Sequence, residues 1–173
     1  MPSDTKARIQ AVARELFVQQ GVQNTSLRQI SERLGITKPA LYYHFSSRDD
    51  LVRSIVRPMI DDMERFVRDL APRYTPHELL DAYFDMIWRH RDVIVMMVRE
   101  LSTLSQLDLG TRMFEWRREL IVMLMGGDPT QAQHIRATVA LGGLSDCAVE
   151  YAHLPLEEVK PAAVEAAAAA LGL

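Results

Sequence analysis

A short segment near the amino terminus concentrates side chains that donate hydrogen bonds. It reads LGITKPALYYHF from Leu34 to Phe45, and it places an ammonium, two phenols and an imidazole within residues 38–44. Such groups pair with phosphate oxygens and with the acceptors on base edges. The segment is too short to build a core of its own, so these residue types favour contact with a polar, anionic partner.

Cap and turn residues predict the elements that position this segment. Ser26 with Gln29 three residues later matches a capping box, which opens a helix that Gly35 ends as a left-handed cap. Thr37 is suited to cap the next helix, with Pro39 in its first turn, where a missing N–H costs little. Two short helices separated by a tight turn are the spacing of a helix-turn-helix.

The helix that Thr37 is predicted to cap has an inner and an outer side. Leu41 and Phe45, four residues apart, face inward and leave the polar residues outside. A DNA major groove admits one helix and meets mainly its amino-terminal residues, so Lys38 is suited to guanine or phosphate. The alternative is an ordinary surface helix. The predicted DNA-binding residues are Thr25, Ser26, Arg28, Thr37, Lys38, Pro39, Ala40, Tyr42, Tyr43, His44 and Arg48.

The charge distribution agrees with this interpretation. Residues 1–58 carry nine Lys+Arg and five Asp+Glu (+4), whereas residues 59–173 carry eleven and eighteen (−7), which together give the net charge of −3. A basic amino-terminal part suits an anionic partner, although chance clustering of surface charge gives the same difference. The single cysteine excludes an internal disulfide and fits the reducing cytoplasm. We expect neither a signal peptide nor a membrane span.

The rest of the chain is predicted to be helical, giving an all-α fold of about nine helices. We place a helix-turn-helix DNA-binding domain at residues 1–47 and a second helical domain at 48–173, with a linking helix at about 48–71. Apolar periodicity and Pro or Gly breaks predict the later helices. They lie at 77–90, 92–106, 110–125, 130–153 and 161–171.

The segment from Thr25 to Leu51 resembles the TetR family of bacterial transcriptional regulators. The features shared with the family are Thr25, Ile30, Gly35-Ile36, Leu41-Tyr42, His44-Phe45 and the spacing from Ser47-Arg48 to Leu51. Departures are Ser31 and Leu34 where alanine is common, Pro39 where glycine is frequent and Arg48 where lysine is usual. The resemblance implies a domain after the linking helix that binds a ligand and forms dimers.

Aromatic residues and methionines cluster in that second part. They adapt to irregular shapes and suit a pocket for a mostly apolar effector, although residues at helical spacing are more often ordinary core. The predicted pocket residues are Tyr83, Trp88, Met96, Met97, Met113, Trp116, Arg117, Met123 and Cys147.

Small residues mark a predicted dimer interface. Glycine inside a helix costs about 1 kcal/mol relative to alanine, and close approach of another backbone compensates for that cost. A kink or tight packing within the chain are the alternatives. The predicted interface residues are Ala140, Gly142, Gly143, Ala163, Ala167 and Leu171.

These features predict a cytoplasmic, homodimeric repressor that is released from a palindromic double-stranded DNA operator by a small effector. An effector-independent DNA-binding regulator or an activator fits the same residues. A small helical enzyme is the remote alternative, because the histidines lack metal-site spacing and no Gly-rich phosphate loop occurs. We therefore expect no catalytic residues, no metal, no cofactor and no membrane partner.

Overall fold

The computed structural model describes residues 2–99 and 109–173, and the regular structure in them is helical. Nine α-helices lie within the described ranges, which confirms the predicted all-α architecture. They are α1 (Pro2–Gln20), α2 (Leu27–Leu34), α3 (Lys38–His44), α4 (Arg48–Arg65), α5 (Pro76–Arg89), α6 (Arg91–Arg99), α7 (Leu109–Met125), α8 (Gln131–Glu150) and α9 (Leu156–Leu171).

The chain divides into two compact units. The first comprises residues 2–59 and 92–99 of the described chain, and the second comprises 60–91 and 109–173. The division by compactness falls inside α4, whereas the predicted domain boundary lies at the start of that helix. The functional boundary at residues 47 and 48 stays a prediction.

Apolar side chains from the first three helices form the core of the first unit. Ile9 and Phe17 of α1 are buried, as are Ile30 of α2 and Leu41 of α3. Helix α2 packs on both α1 and α3. A hydrogen bond of 3.0 Å from Gln10 Nε2 to Ser54 Oγ ties α1 to α4. The short helices α2 and α3 are therefore held by tertiary packing, which helices of their length require.

The second unit is a layered helical bundle. Helix α9 packs on α8 and α5, and α7 packs on the same two helices. Lys160 of α9 reaches α5 with its ammonium 2.8 Å from a carboxylate oxygen of Asp81 and 2.8 Å from one of Asp85. These ion pairs fix α9 against α5 at a partly shielded site.

The helix ends differ from the prediction at two prolines. Helix α9 begins at Leu156, five residues before the predicted start, and Pro161 lies inside it. Helix α4 contains Pro58 and ends at Arg65, where a π-helical turn (Phe66–Leu70) and a 3-10 turn (Ala71–Arg73) continue the chain. Part of the predicted helix 92–106 lies outside the described residues. In the described ranges, no helix combines the length and the hydropathy that a membrane span requires.

Candidate nucleic-acid interface

The start of α2 is fixed by a reciprocal cap. The amide N–H of Gln29 donates to Ser26 Oγ at 3.2 Å, and the amide N–H of Ser26 donates to Gln29 Oε1 at 2.7 Å. This is the predicted capping box, which satisfies two of the amides left free at a helix start. Ser26 is therefore both exposed and held in place at the amino terminus of α2.

The turn between α2 and α3 depends on a glycine. Gly35 adopts φ 65°, a left-handed conformation that side chains other than glycine rarely take. The amide N–H of Ile36 donates to the Ser31 carbonyl at 3.0 Å and closes the helix end. Thr37 then caps α3, accepting from the Ala40 amide at 3.3 Å. The chain thus reverses within three residues, as a helix-turn-helix requires.

Helix α3 separates its apolar residues from its polar ones. Leu41 and Phe45 are buried, as predicted. Lys38, Pro39 and the preceding Thr37 are exposed, and Ala40 and His44 are half-buried. Tyr42 is 53% exposed and Tyr43 is 82% exposed, so both phenols face solvent. We name the surface formed by residues 37–40 and 42–44 the α3 face.

A groove beside the α3 face collects residues from three helices. It has a volume of about 460 Å³. Its lining comes from the start of α2, from α3 and from the start of α4: Thr25, Ser26, Leu27, Arg28, Lys38, Tyr42, Ser47, Arg48 and Asp49. Helix amino termini and cationic side chains attract phosphate. The residues that line the groove are therefore suited to contact the phosphates of a nucleic-acid backbone, apart from the acidic Asp49.

One predicted DNA-binding residue has a structural role instead. Thr25 is 1% exposed, and its hydroxyl donates to the Gly21 carbonyl at 2.8 Å while accepting from Gln20 Nε2 at 3.1 Å. Because the hydroxyl is committed inside the loop, it is not placed to donate to a phosphate. The Thr at i+4 from a helix-ending glycine was the sequence signal for this role.

Two predicted contacts are cations that already have partners. Arg28 Nε lies 2.7 Å from Glu32 Oε1, in a pair that is mostly exposed, so exchange with a phosphate costs little. The Arg48 guanidinium donates to the loop between α1 and α2, to the carbonyls of Val22 and Gln23 and to Gln23 Oε1.

The predicted pocket residues are mostly core. Tyr83, Trp88 and Trp116 are buried, and the Tyr83 hydroxyl lies 3.2 Å from Ser145 Oγ. The Trp88 ring stacks on Phe84 with centroids 5.6 Å apart. Tyr83 thus joins α5 to α8, whereas Trp88 stacks on a residue of its own helix. Their role as pocket lining stays a prediction.

The other predicted pocket residues are dispersed. Met96 and Met97 are buried and belong to the first compact unit, whereas Met113 is 45% exposed. Arg117 and Met123 are half-buried. Cys147 lines grooves between α8 and α9. The structure therefore does not gather the nine residues round one cavity.

A groove that the sequence did not predict lies between the end of α4 and α5. It has a volume of about 210 Å³ and a mixed lining: Asp62, Arg65, Phe66, Leu70, Tyr74, Ala82, Asp85, Met86 and Arg89. We name it the α4–α5 groove. The π-helical turn at Phe66–Leu70 forms part of its wall, and turns of this type often occur at functional sites.

The predicted interface residues also divide into two groups. Ala140, Ala163, Ala167 and Leu171 are buried within this one chain, where α8 packs on α9. Gly143 is exposed and Gly142 is half-buried. The four buried residues therefore pack within the chain, and their role in a dimer interface stays a prediction.

The apolar residues exposed on α8 have no intrachain packing role of this kind. Ile135 is 58% exposed and Val139 is 61% exposed. At both Gly142 and Gly143, an added Cβ meets nothing within 4 Å, and α8 continues through them. Neither a break in the helix nor close packing in the chain accounts for these glycines. We name the surface formed by Ile135, Val139, Gly143 and Ala166 the α8–α9 face.

The described residues contain no group of three or more His, Cys, Asp or Glu side chains that is arranged to hold a metal ion.

Comparison with known proteins gives the same family that the α2–α3 residues resemble. Residues 9–55 match the family model for bacterial regulatory proteins of the tetR family. The repressor KstR2 of Mycolicibacterium smegmatis is 27% identical over 135 residues, which cover 73% of this chain and 66% of that protein. The activator FasR of the same organism is 29% identical over 93 residues, 50% of this chain and 42% of that one.

A solved structure extends the likeness to the second unit. A transcriptional regulator (TerR/AcrR family) from Aquifex aeolicus VF5 has a TM-score of 0.72 and 25% identity, and the match covers 94% of this chain and 96% of that one. The curated relatives named above are matched over two-thirds of their length or less. All three are described as regulators of transcription and not as enzymes, which agrees with the expectation of no catalytic function. These matches identify residues 9–55 as a segment of the TetR family type and give the whole chain the fold of a TetR/AcrR regulator.

Proposed function

We propose that the protein is a homodimeric transcriptional repressor that binds a palindromic DNA operator. The observation that carries this proposal is the α3 face, where Lys38, Tyr42 and Tyr43 are exposed on a helix that is fixed by buried Leu41 and Phe45. An exposed row of donors on a rigid short helix suits a major groove, which admits one helix. DNA in the cytoplasm is the partner of this surface.

Contacts at the operator follow from the residue types. Lys38 and the edge of Ala40 approach bases, because base edges meet the first turn of a recognition helix. Ser26, Arg28 and the tyrosine hydroxyls donate to phosphates on either side, which sets the register of the protein on the duplex. Pro39 and Lys38 stand where sequence is read, so the operator sequence is specific to this chain.

A second copy of the chain completes the proposed operator complex. The α8–α9 face supports this part, since it is apolar, exposed and built on helices that contain two glycines without neighbours. The glycine-bearing helix α8 and the alanine-rich helix α9 from each copy can approach closely in a two-fold, four-helix interface. A dimer that binds a palindrome presents its two α3 faces to successive major grooves, about 34–36 Å apart.

A small effector is proposed to regulate the complex, and the α4–α5 groove supports a site for it. Phe66, Tyr74 and Met86 offer apolar contact, while Arg65 and Arg89 offer charge at the rim. The volume of about 210 Å³ is below the usual range for a ligand pocket of about 300–1,000 Å³. The groove therefore suits a small amphipathic molecule or one end of a longer one. Binding that favours one conformation lowers operator affinity by linkage.

An activator is the second candidate. It is favoured by the similarity to FasR, which is described as an activator. DNA binding through the α3 face is common to both functions. Transcription from a promoter that carries the bound site, measured with and without the protein, distinguishes them: a repressor lowers the transcript level and an activator raises it.

Selection of bound duplexes from a random DNA pool tests the proposal. We expect the selected sites to converge on a palindrome whose half-sites lie about one helical turn apart. Convergence on a single, unrepeated half-site contradicts the dimeric part alone. Failure to enrich any duplex over the starting pool contradicts DNA recognition itself.

A further inference from the structure

We propose that Arg48 is a positioning residue, which holds the loop between α1 and α2 and does not contact a phosphate. Its place at the start of α4, beside the groove at the α3 face, predicts a phosphate contact from sequence alone. The inference deepens the proposed function and rests on it, since the loop it holds leads directly into the DNA-binding helices. Arg48 then acts on DNA binding through Ser26 and α2.

The geometry of the guanidinium supports this role. Arg48 Nη1 donates to the Val22 carbonyl at 3.3 Å and to the Gln23 carbonyl at 3.1 Å. Arg48 Nη2 donates to Gln23 Oε1 at 2.9 Å. Three of the five N–H groups of the fork are therefore committed to one loop. A phosphate at that edge of the guanidinium requires the loop acceptors to be released.

Side-chain hydrogen bonds to the loop carbonyls hold the loop, in addition to the backbone bond of 3.2 Å from the Thr25 amide to the Val22 carbonyl. The carbonyl of Gln20 accepts from Asn24 Nδ2 at 2.9 Å, and that of Asn24 accepts from Gln20 Nε2 at 3.2 Å. The Gly21 carbonyl accepts from Thr25 Oγ1 at 2.8 Å. Arg48 supplies side-chain donors to the two carbonyls that lie between these. Each carbonyl from residue 20 to residue 24 thus accepts from a side chain, as the exposed carbonyls at the end of a helix require.

The held loop fixes the DNA-binding elements. It begins after α1 at Gly21, where φ is 87°, and it ends at Ser26, the cap of α2. The loop is the chain connection between α1 and α2, which also pack together and share an ion pair of 3.2 Å between Arg33 and Glu15. The loop conformation therefore contributes to where Ser26 and Arg28 lie. Loss of the Arg48 hydrogen bonds is therefore expected to displace the side chains that contact phosphate without removing any of those side chains.

The chemical difference between arginine and lysine makes the proposal testable. Lysine, which is usual here in the TetR family, keeps the positive charge. It has a single side-chain nitrogen, whereas the Nη1 and Nη2 atoms of Arg48 reach separate acceptors. A phosphate contact tolerates Arg48→Lys, because a point charge also binds phosphate. A residue that holds the loop through several hydrogen bonds does not tolerate Arg48→Lys, because lysine cannot make them all. Gln23→Ala removes one acceptor and leaves Arg48 in place.

The experiment measures affinity for a short mixed-sequence duplex, and for the selected site, across a series of KCl concentrations. We expect Arg48→Lys and Gln23→Ala each to weaken binding by roughly three- to ten-fold, with the slope of log affinity against log salt unchanged. Urea unfolding checks that the loss of affinity exceeds any loss of folded protein. The matched controls are Arg33→Lys and Gln19→Ala, whose exposed partner is Glu15. Wild-type affinity in both Arg48→Lys and Gln23→Ala overturns the proposal.

A measurement without DNA separates this inference from the proposed function. Hydrogen exchange of the amides of residues 23–29 in the free protein reports the loop directly. We expect exchange there to be roughly ten-fold faster in both variants than in wild type. Unchanged exchange overturns the inference even if the wild type binds DNA. Absence of DNA binding by the wild type overturns the proposed function and leaves the exchange result to decide the role of Arg48.

Discussion

Lys38 is the first residue of α3, and its exposed ammonium lies on the same short helix as two exposed phenols. Long amphipathic side chains of this kind carry a polar tip beyond the helix surface and keep their stems against it. The residue is thus placed to reach a base edge or a phosphate without unfolding any neighbouring contact.

Substitution of Lys38 provides the prediction at this scale. Lys38→Gln is expected to weaken binding to the selected site by roughly ten-fold, because it removes a charged hydrogen bond, and to leave the urea midpoint unchanged. Fluorescence anisotropy with labelled duplex measures the affinity.

The matched control removes the same charge from the second unit. Arg118 is exposed on α7, and Arg118→Gln is expected to bind DNA as wild type does. An equal loss of affinity in both variants shows that only net charge matters, and it contradicts a specific role for Lys38.

Single residues also show where sequence reasoning succeeds and where it stops. Helical spacing was sufficient to place Leu41 and Phe45 inside and Tyr43 outside, because side chains four positions apart share a face. The role of Thr25 was missed, since its hydroxyl finds acceptors that depend on how the loop folds. The role of a polar residue depends on its hydrogen-bond partners, and those become known only from the coordinates.

At the scale of elements, α3 is too short to persist by itself. It has seven residues, of which only Leu41 is buried, and it depends on its cap and on packing. Thr37 has two candidate roles: it caps α3 and it lies on the α3 face. The two roles predict different outcomes for conservative substitutions.

The cap provides the second prediction. Thr37→Ala is expected to destabilise the protein by about 1 kcal/mol, because it leaves the Ala40 amide without its acceptor. Thr37→Ser keeps the hydroxyl and is expected to restore most of that stability. Urea unfolding followed by circular dichroism measures both. If Thr37→Ala is as stable as wild type, the cap contributes nothing and the residue has only a surface role.

Helix boundaries near proline were the least predictable elements. A proline often marks the first turn of a helix, which placed the start of α9 at Pro161. In the structure the helix starts at Leu156, and Pro161 follows a turn that already includes buried Val159. Burial of the helix face on both sides of the proline offsets the lost hydrogen bond. Such compensation comes from tertiary packing, which local sequence does not contain.

The link between α5 and α8 gives a pH-dependent prediction. Burial raises the pKa of the Tyr83 hydroxyl, although its hydrogen bond with Ser145 acts in the opposite direction. The unfolded chain therefore loses this proton at lower pH than the folded protein. Stability is fully present below the unfolded tyrosine pKa of about 10 and falls as pH rises above it.

Tyr83→Phe tests this linkage. The variant is expected to lose about 1 kcal/mol at neutral pH and to show a smaller decline in stability above pH of about 10 than wild type. Urea unfolding at a series of alkaline pH values measures the difference. Tyr42→Phe is the control, since Tyr42 is exposed. Equal alkaline declines in wild type and Tyr83→Phe contradict the assignment.

At the scale of the whole molecule, the two compact units carry different proposed tasks. The surplus of positive charge before residue 59 agrees with DNA contact by the α3 face, and the acidic remainder agrees with a body that stays away from phosphate. The all-helical plan was predictable from periodicity. The location of the α4–α5 groove was not, because a cavity depends on how side chains from several helices fail to fill space.

The dimer provides the prediction that belongs to this scale. Gly143→Leu is expected to leave the protomer folded, since an added Cβ at this position meets nothing within 4 Å. The same side chain is expected to separate the two copies and to raise the dimer dissociation constant by at least roughly ten-fold, because overpacking costs about 1–3 kcal/mol. Sedimentation velocity over a concentration series measures the change.

Gly110→Leu is the matched control, because Gly110 on α7 also has nothing within 4 Å of an added Cβ and lies outside the α8–α9 face. We expect it to sediment as wild type does. If Gly143→Leu does so too, the glycine pair does not lie in the interface.

The salt dependence of duplex binding tests the central claim, that the α3 face binds DNA through phosphate and base contacts. The measurement is the affinity of the wild type for the selected duplex between low and physiological KCl. The claim predicts a linear fall of log affinity with log salt, with a slope steeper than about −2, since each neutralised phosphate contributes about −0.9. Affinity that does not change with salt, or a protein that binds no duplex at any concentration of salt, contradicts it.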